Sequence, residues 1–467
     1  MLNVACCQGC LSKMVEIDRL KSERDRLRHE NARLKKQLGR VSRTINEAPF
    51  GSSTPSSKLT VKRNSTEHNR GKMGGAQQGH RGYGRTGPDG APEAVVRRVR
   101  CPKTRPDCGT ALRGKGVRRR LVVDCEPMRK TETVYELQRG KCPGCGRSVA
   151  AEAPGVLPKC LYGNRLLSHV AAEHYLNGMT LGQLEQRTGI GCGSLIDALH
   201  QLARRLEPVM PRLAADYRAS RVRRADETTW REDGFNGYAW LFASTDTSLF
   251  RFRVSRSSDI PREVFGGEPL PGVLVVDRYA SYNVAPCDLQ YCYAHLLRDV
   301  EDLGKEFPDD PQVAAFTDAL APELAAAMHL HSLKLSDAEY LRRARDVRAR
   351  ILAAVEAEAN HPGVQNIQSI FRQNAHRLYH WVENRNVPAD NNATERELRP
   401  LVIARKLSFG SQSPRGRHTR EVLMSVLHTL RTRPRDPGAA LHSALNALAA
   451  DPNTDIAEKL FGTGPDP

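Results

Sequence analysis

Between residues 221 and 291 the chain turns from helical to β patterning, and the order of its β runs leaves few folds open. RVRRADETTW, GYAWLFASTD and LFRFRVS are three short β-rich runs separated by turn signals such as EDGFNG, which reads as a meander of strands. SDIPREVFG follows as a short helix, with Pro261 suited to its first turn. GVLVVDRYASYN then carries a continuous apolar run, the pattern of a strand covered on both faces. QYCY is a further short strand, and AHLLRDVEDLGKEF opens a helix. Residues 309–383 are largely helical, with Ala-rich stretches such as AAFTDALAPELAAAMHL. Another helix begins within 390–400, and the remainder is basic, then helical, with a Pro-rich tail.

Three acids fall at telling places in this order. Asp226 is expected at the end of the first strand, Asp277 at the end of the VLVV strand, and Glu395 in DNNATERELRP. Three strands, a helix, a buried strand, another strand and then helices is the order of a ribonuclease-H-like fold. In such a sheet the first strand and the strand after the helix lie side by side. Acids at their ends become neighbours, and a later helix can bring in a third. Three converging carboxylates repel one another and do not all stay ionised unaided. Mg²⁺ relieves that repulsion, because it takes hard oxygen ligands and keeps waters or substrate phosphates in its other positions. Two such ions ~3.5–4 Å apart activate an attacking oxygen and stabilise the departing one in phosphoryl transfer. A single strand-end Asp is more often a turn or cap residue; the three acids in this order make the case together.

The rest of the chain reads as attached modules. Over residues 13–40, Leu20, Leu27 and Leu34 recur every seven positions, with Ile17, Arg24, Asn31 and Leu38 at the other seam position. That is a short coiled-coil pattern with a polar Asn in the seam; a single amphipathic surface helix is the alternative. Residues 46–92 are rich in Gly, Ser, Lys and Arg, too poor in apolar groups to order themselves, and read as a basic linker. Residues 96–150 carry four cysteines among β-like runs. Cys142 and Cys145 form CPGCG, a knuckle that presents two thiolates to one ion. With Cys101 and Cys108 in CPKTRPDCG they suggest a structural Zn²⁺ ribbon, although six residues rather than two separate the first pair. Cys125 is expected in packing, and Cys6, Cys7 and Cys10 lack matching partners. Over residues 155–215, LGQLEQRTGIGCG between two longer helical runs fits a helix-turn-helix, with an ordinary helical bundle as the alternative.

Charge points the same way. Seventy-one Lys and Arg against 53 Asp and Glu leave +18, and a pI near 9.6 calls for a polyanionic partner, nucleic acid first. Twelve cysteines in 467 residues are too sparse for a disulfide scaffold. No run approaches ~18 consecutive apolar residues, and MLNVACCQGCLSKMVEIDRL lacks the basic-then-apolar start of a secretory signal. A cytoplasmic, nucleoid-associated protein without membrane contact is therefore expected.

The segments ADETTW, VLVVDRYASYN, CYAHLLRD and DNNATERELRPLVIARKLSFGS, with PFGSSTPSSK, GGAQQGHRG and PGVLPKCLYGNRLLSHV before them, resemble the DDE transposases of the insertion sequence 66 group over most of the chain. The resemblance implies Asp226, Asp277 and Glu395 as catalytic acids that hold two Mg²⁺ ions, with Mn²⁺ as a substitute. It also implies that the helices between Asp277 and Glu395 are an insertion in the core. The 118 positions from 277 to 395 support this, since a bare core needs far fewer. Glu397 is the competing acid, but two positions on a helix turn a side chain about 200° away. Asn391 and Arg399 lie four residues either side of Glu395; with Arg405, Lys406 and Arg415 they are expected to hold phosphates beside the scissile bond, a solvated basic face being the alternative. Cys292 and His295 form a C-x-x-H that similar proteins also carry; packing or DNA positioning is expected of it before zinc.

The expected architecture is multidomain α/β. A helix or coiled coil (1–45) and a flexible basic linker (46–95) precede a zinc-ribbon-like domain (96–152) and a helix-turn-helix-like domain (153–215). A ribonuclease-H-like catalytic domain (216–415) with a helical insertion at about 309–385 follows, then a helical tail (416–467). The expected partners are element-end and target DNA, a second protomer or higher oligomer on that DNA, and accessory proteins of the same element. Two other functions use the same features: a DNA-binding protein without catalysis, including an inactive element remnant, and a structure-specific metal-dependent nuclease.

Overall fold

The computed structural model describes Glu23 and residues 95–126, 129–433 and 435–462. The heptad helix, the basic linker, Cys6, Cys7, Cys10 and the Cys125 side chain lie outside the described residues. All the elements below belong to the unit Val61–Pro467. The chain is mixed α/β.

A small sheet comes first. Strands β1 (Val95–Val99), β2 (Arg113–Glu126), β3 (Arg129–Lys141) and β4 (Ser148–Ala150) pair in the order β1-β3-β2, with β4 also on β3. The β2–β3 hairpin is antiparallel and long, while β1 joins β3 in parallel. Four helices follow: α1 (Asn164–Tyr175), α2 (Leu181–Thr188), α3 (Cys192–Leu206) and α4 (Met210–Ala219). The start of α2 is set by a capping box, in which the Thr180 hydroxyl accepts from Gln183 N and the Gln183 side chain reaches back. Its end is set by Gly189 in the left-handed region.

The second sheet holds β5 (Val222–Glu232), β6 (Phe235–Ala243), β7 (Ser248–Arg253), β8 (Val273–Val276) and β9 (Asp288–Tyr291), in the order β7-β6-β5-β8-β9. The first three strands are antiparallel; β8 and β9 add in parallel. Helix α5 (Asp259–Phe265) lies in the crossover between the two parts. All four residues of β8 are buried, as its unbroken apolar run requires. Beyond β9 come α6 (Tyr293–Glu306), α7 (Pro311–Leu330), α8 (Asp337–Glu356), α9 (Pro362–Gln373) and α10 (His380–Glu383). Then come α11 (Asn392–Ser408), α12 (Pro414–Thr432), α13 (Pro437–Ala450) and α14 (Ile456–Phe461). Among the described residues no helix is long and apolar enough to cross a membrane.

Helix α12 closes the open edge of this sheet. Its residues from Thr419 to Leu430 are all buried. Glu421, Ser425 and Thr429, one turn apart, accept from the backbone N–H groups of Phe252, Phe250 and Ser248 at 3.0, 2.9 and 3.0 Å. Four helical residues advance ~6.0 Å and two strand residues ~6.7 Å, so the two periods stay in step over three contacts. An edge strand with free N–H groups invites foreign pairing; here side chains occupy them. The turn between α11 and α12 is tied to β5 in turn. Ser411 N donates to Arg231 O at 2.8 Å, and Asp233 N to Ser411 O at 2.9 Å. Gly410 sits at φ +122, where a Cβ would lie 2.2 Å from the Arg231 carbonyl, so this close approach needs glycine.

Candidate active site

Asp226 was expected to end its strand, and the structure corrects this. Strand β5 runs on to Glu232 because its antiparallel pairing with β6 continues to Glu232 and Phe235. What ends near Asp226 is the pairing with β8, whose last register pair is Arg224 with Val275. The same register two residues on sets Asp226 opposite Asp277, the first residue past β8. The Asp277 carboxylate accepts from Tyr279 N at 2.9 Å, which turns the chain away from the sheet.

Glu395 arrives from the other side, in the first turn of α11. The start of that helix is locked by Asn391. Its Nδ2 donates to Ala225 O at 2.8 Å, its Oδ1 accepts from the Thr394 hydroxyl at 2.6 Å, and its backbone N donates to Cys292 Sγ at 3.1 Å. One side chain thus joins the helix of Glu395 to the residue before Asp226. Glu395 itself contacts the Arg298 guanidinium of α6 at 3.5 Å. Burial first, then the negative charge of Glu227, Asp277 and Glu395, pushes the Asp226 carboxyl up to about 8. A buried carboxyl with other acids nearby favours its protonated form until a cation is supplied.

Glu397 is turned the other way. Its carboxylate accepts from the Ser248 hydroxyl on β7 and stands 3.9 Å from His428 Nδ1 on α12. Burial pushes it above the ordinary range, against the pull of Ser248 and Arg224. It belongs to the packing between α11, β7 and α12.

A model of the transposase IS66 family matches residues 159–419, more than half of the chain. The chain belongs to the transposase IS66 family. A search of curated proteins finds no match.

For an IS66-family transposase the expected partner is DNA, and the structure sorts the five expected phosphate contacts. Arg399 and Lys406 on α11 are exposed, as is Arg415 at the start of α12, 3.9 Å from Asp197. The other two are corrected. Asn391 is 1% exposed, with its amide spent on Ala225 and Thr394. Arg405 is half-buried; its Nη1 donates to Thr228 Oγ1 at 2.9 Å and to Thr229 O at 2.5 Å, which pins α11 to β5. Both side chains are engaged within the fold, Asn391 through its whole amide and Arg405 through Nη1. Exposed Ile403 and Leu407 interleave with Arg399 and Lys406 on the same helix.

Sequence reasoning missed the support around Asp226. Glu227 points to the opposite face of β5, its side chain 2% exposed. It accepts from Arg256 Nε at 2.8 Å and from the Tyr282 hydroxyl. The Arg256 guanidinium lies 3.8 Å from the Tyr279 ring centre, and its carbonyl accepts from Tyr279 Oη at 2.6 Å and Ser281 Oγ at 3.0 Å. This network binds the turn after Asp277 to the strand of Asp226. Strand alternation in ADETTW was the available signal: two adjacent acids cannot both face one site. Cys292, its thiol pushed up to about 11 by burial, packs against the start of α11. His295, one turn before Arg298 on α6, has a buried Nδ1 with no hydrogen-bond partner among the described residues.

Among the described residues, no three His, Cys, Asp or Glu side chains form a group that could hold one metal ion. The acids nonetheless suit a hard divalent cation. Two carboxylates stand on adjacent strand positions, a third lies on the facing helix, and Mg²⁺ is commonly held by one or two carboxylates with water and phosphate completing its shell. The cysteines differ. Cys108 and Cys142 lie 3.7 Å apart, close to the ~3.8 Å sulfur spacing that a ~2.3 Å Zn–S bond and tetrahedral geometry impose. The Arg105 guanidinium, its side chain 9% exposed, lies against Cys145 and 4.0 Å from Cys108. Cys101 sits where its backbone N donates to Gln138. The six-residue gap lets Arg105 fold in among the thiols, and as placed the four cysteines do not make a zinc site.

Proposed function

We propose that the chain is a DDE-type transposase, which cuts DNA at the ends of an insertion sequence and joins the freed 3′ hydroxyl to target DNA. What supports this is the register that sets Asp226 opposite Asp277, with Glu395 near enough for its charge to act on Asp226. The strand order supports a ribonuclease-H-like core, with α7–α10 as the inserted helices. The N-terminal sheet and helices α1–α3, the latter in a helix-turn-helix role, would recognise the element ends, and a second protomer would pair them.

Asp226, Asp277 and Glu395 would hold divalent metal, which supplies activation of the attacking oxygen and stabilisation of the leaving oxygen. The chain's own residues do the positioning. Asn391 sets the height of Glu395, and the Glu227–Arg256 pair holds the turn after Asp277. Arg298 balances Glu395 before metal enters. Exposed Arg399, Lys406 and Arg415 would hold backbone phosphates, which fixes register without reading sequence.

The test is incubation of purified protein with a labelled element-end duplex, a target plasmid and Mg²⁺, beside Asp277→Ala. Joined product that disappears in the variant is expected. Cutting without joining would instead establish the nuclease, and binding without cutting would favour a non-catalytic DNA-binding protein.

A further inference from the structure

A cavity of about 290 Å³ opens between helices α1–α3 and the turn from α11 to α12. Its walls are mostly apolar, with Tyr175, Leu181, Ile196 and Leu199 prominent. Arg420 lines it too, only 7% exposed. Its guanidinium lies 5.1 Å from the Tyr175 ring centre and 5.0 Å from that of Trp230. Nη2 donates to His174 Nε2 at 3.3 Å, and Nη1 reaches Met424 Sδ at 4.0 Å. His174 Nδ1 meets Met179 O at 2.7 Å, so that nitrogen carries the proton and Nε2 accepts. Burial and Arg420 hold His174 down to about 4, which leaves it neutral near pH 7. Among the described residues Arg420 has no carboxylate partner. A buried cation without a counter-ion is costly, and aromatic faces return only part of that cost.

A second positive feature opens on the same space. The N-terminus of the 19-residue helix α12 contributes Ser413 and Gly416 to the lining; Gly416 N already donates to the Ser413 hydroxyl at 3.1 Å, so what this end offers an anion is the field of the helix rather than that N–H. The cavity therefore combines an anion-seeking floor with apolar walls. Its volume is close to the ~300 Å³ lower end of small-molecule sites. That is room for one flat apolar group with one anionic group, not for duplex.

We propose that the cavity takes a single nucleotide turned out of the DNA, its base against Tyr175, Ile196 and Leu199 and its phosphate toward Arg420 and the start of α12. This rests on DNA being the substrate, as proposed above. The position fits: Trp230, beneath Arg420, lies four residues along β5 from Asp226. At ~3.3 Å per residue that is about 13 Å, or roughly four base steps at ~3.4 Å. The extruded nucleotide would therefore lie a few positions from the cleaved bond.

The test uses the full chain and element-end duplexes in which 2-aminopurine replaces one base at a time around the cleavage site. Unstacking raises 2-aminopurine emission, so one position within about five nucleotides is expected to brighten several-fold. The same rise is expected with Asp277→Ala, which binds without cutting. Ile196 is 37% exposed, so Ile196→Trp fills the cavity from its surface side; it should still shift the duplex yet lose most of the rise, while Ile196→Ala keeps it. No brightening in a complex that shifts the duplex, or full brightening with Ile196→Trp, would overturn the proposal. Saturable binding of free deoxynucleoside monophosphate, read by tryptophan emission, with no 2-aminopurine response would overturn the DNA source and assign a free nucleotide. Brightening in Asp277→Ala with no joined product from the unsubstituted chain would sink the transposase reading and leave this one standing. Joined product without brightening would do the reverse.

Discussion

Replacing Asn391 by alanine separates two roles for one residue. Its side chain makes two hydrogen bonds, to Ala225 O at 2.8 Å and from Thr394 Oγ1 at 2.6 Å. Both partners are fully buried, each 0% exposed. The Thr394 hydroxyl can rotate to another acceptor, whereas the Ala225 carbonyl cannot move without breaking β5. An orphaned buried group costs about 1–3 kcal/mol and an ordinary lost hydrogen bond about 0.5–1.5 kcal/mol. The expected loss is therefore roughly 2–4 kcal/mol, read from the urea midpoint at unchanged slope. Asn391→Asp should cost at least as much, because it keeps the volume but sets a second oxygen against the Ala225 carbonyl. Glu395 N donates to Asn391 O at 3.2 Å, so a shift of residue 391 carries Glu395 with it and strand joining should also fall, by about tenfold or more. Affinity for the end duplex, measured at low temperature where the variant stays folded, should change less than about twofold, since no phosphate contact is lost. The reasoning fails if stability moves by less than about 0.5 kcal/mol while DNA affinity drops severalfold; Asn391 would then be the DNA contact that its motif suggested.

Two further perturbations test the frame around the site. Ser425→Ala removes the acceptor of Phe250 N and should cost about 1–3 kcal/mol, with hydrogen exchange at the Phe250 amide accelerating before that of its neighbours; unchanged exchange there would contradict the zipped edge. His428, fully buried, is held down to about 3 by burial and Arg431, so the unfolded chain takes up its proton first. The stability it contributes is present above pH ~6.5 and is lost as pH falls toward 3, by about 1.4 kcal/mol per pH unit. The gap in urea stability between the unsubstituted chain and His428→Gln should therefore shrink as pH drops from 7 to 5, and a constant gap would refute the assignment.

What could be read in the sequence depended on how far each feature acts. The β order, the short helix at Asp259 and the apolar VLVV strand are local patterns, and they stand in the structure as short-range chemistry dictates. Helix periodicity alone told that Glu395 and Glu397 could not both face one site, and the two now face different neighbours, Arg298 and Ser248. The end of β5 was misread because Asp226 resembles a strand terminus, yet pairing with β6 carries the strand six residues further. No local signal reports where a neighbouring strand stops. Asn391 and Arg405 were misassigned for a related reason. Polarity in a basic, motif-rich helix reads as surface, but both side chains complete backbone or hydroxyl groups of β5 that lie 165 or more positions away in the chain. Arg105 among the cysteines and Arg420 between two rings follow the same logic. A charged residue inside a fold is placed by partners from distant segments, so its role appears only when those segments are brought together. The acids proposed to hold metal are legible because that chemistry demands residue types at element ends; the residues that hold those ends in place must be found in three dimensions.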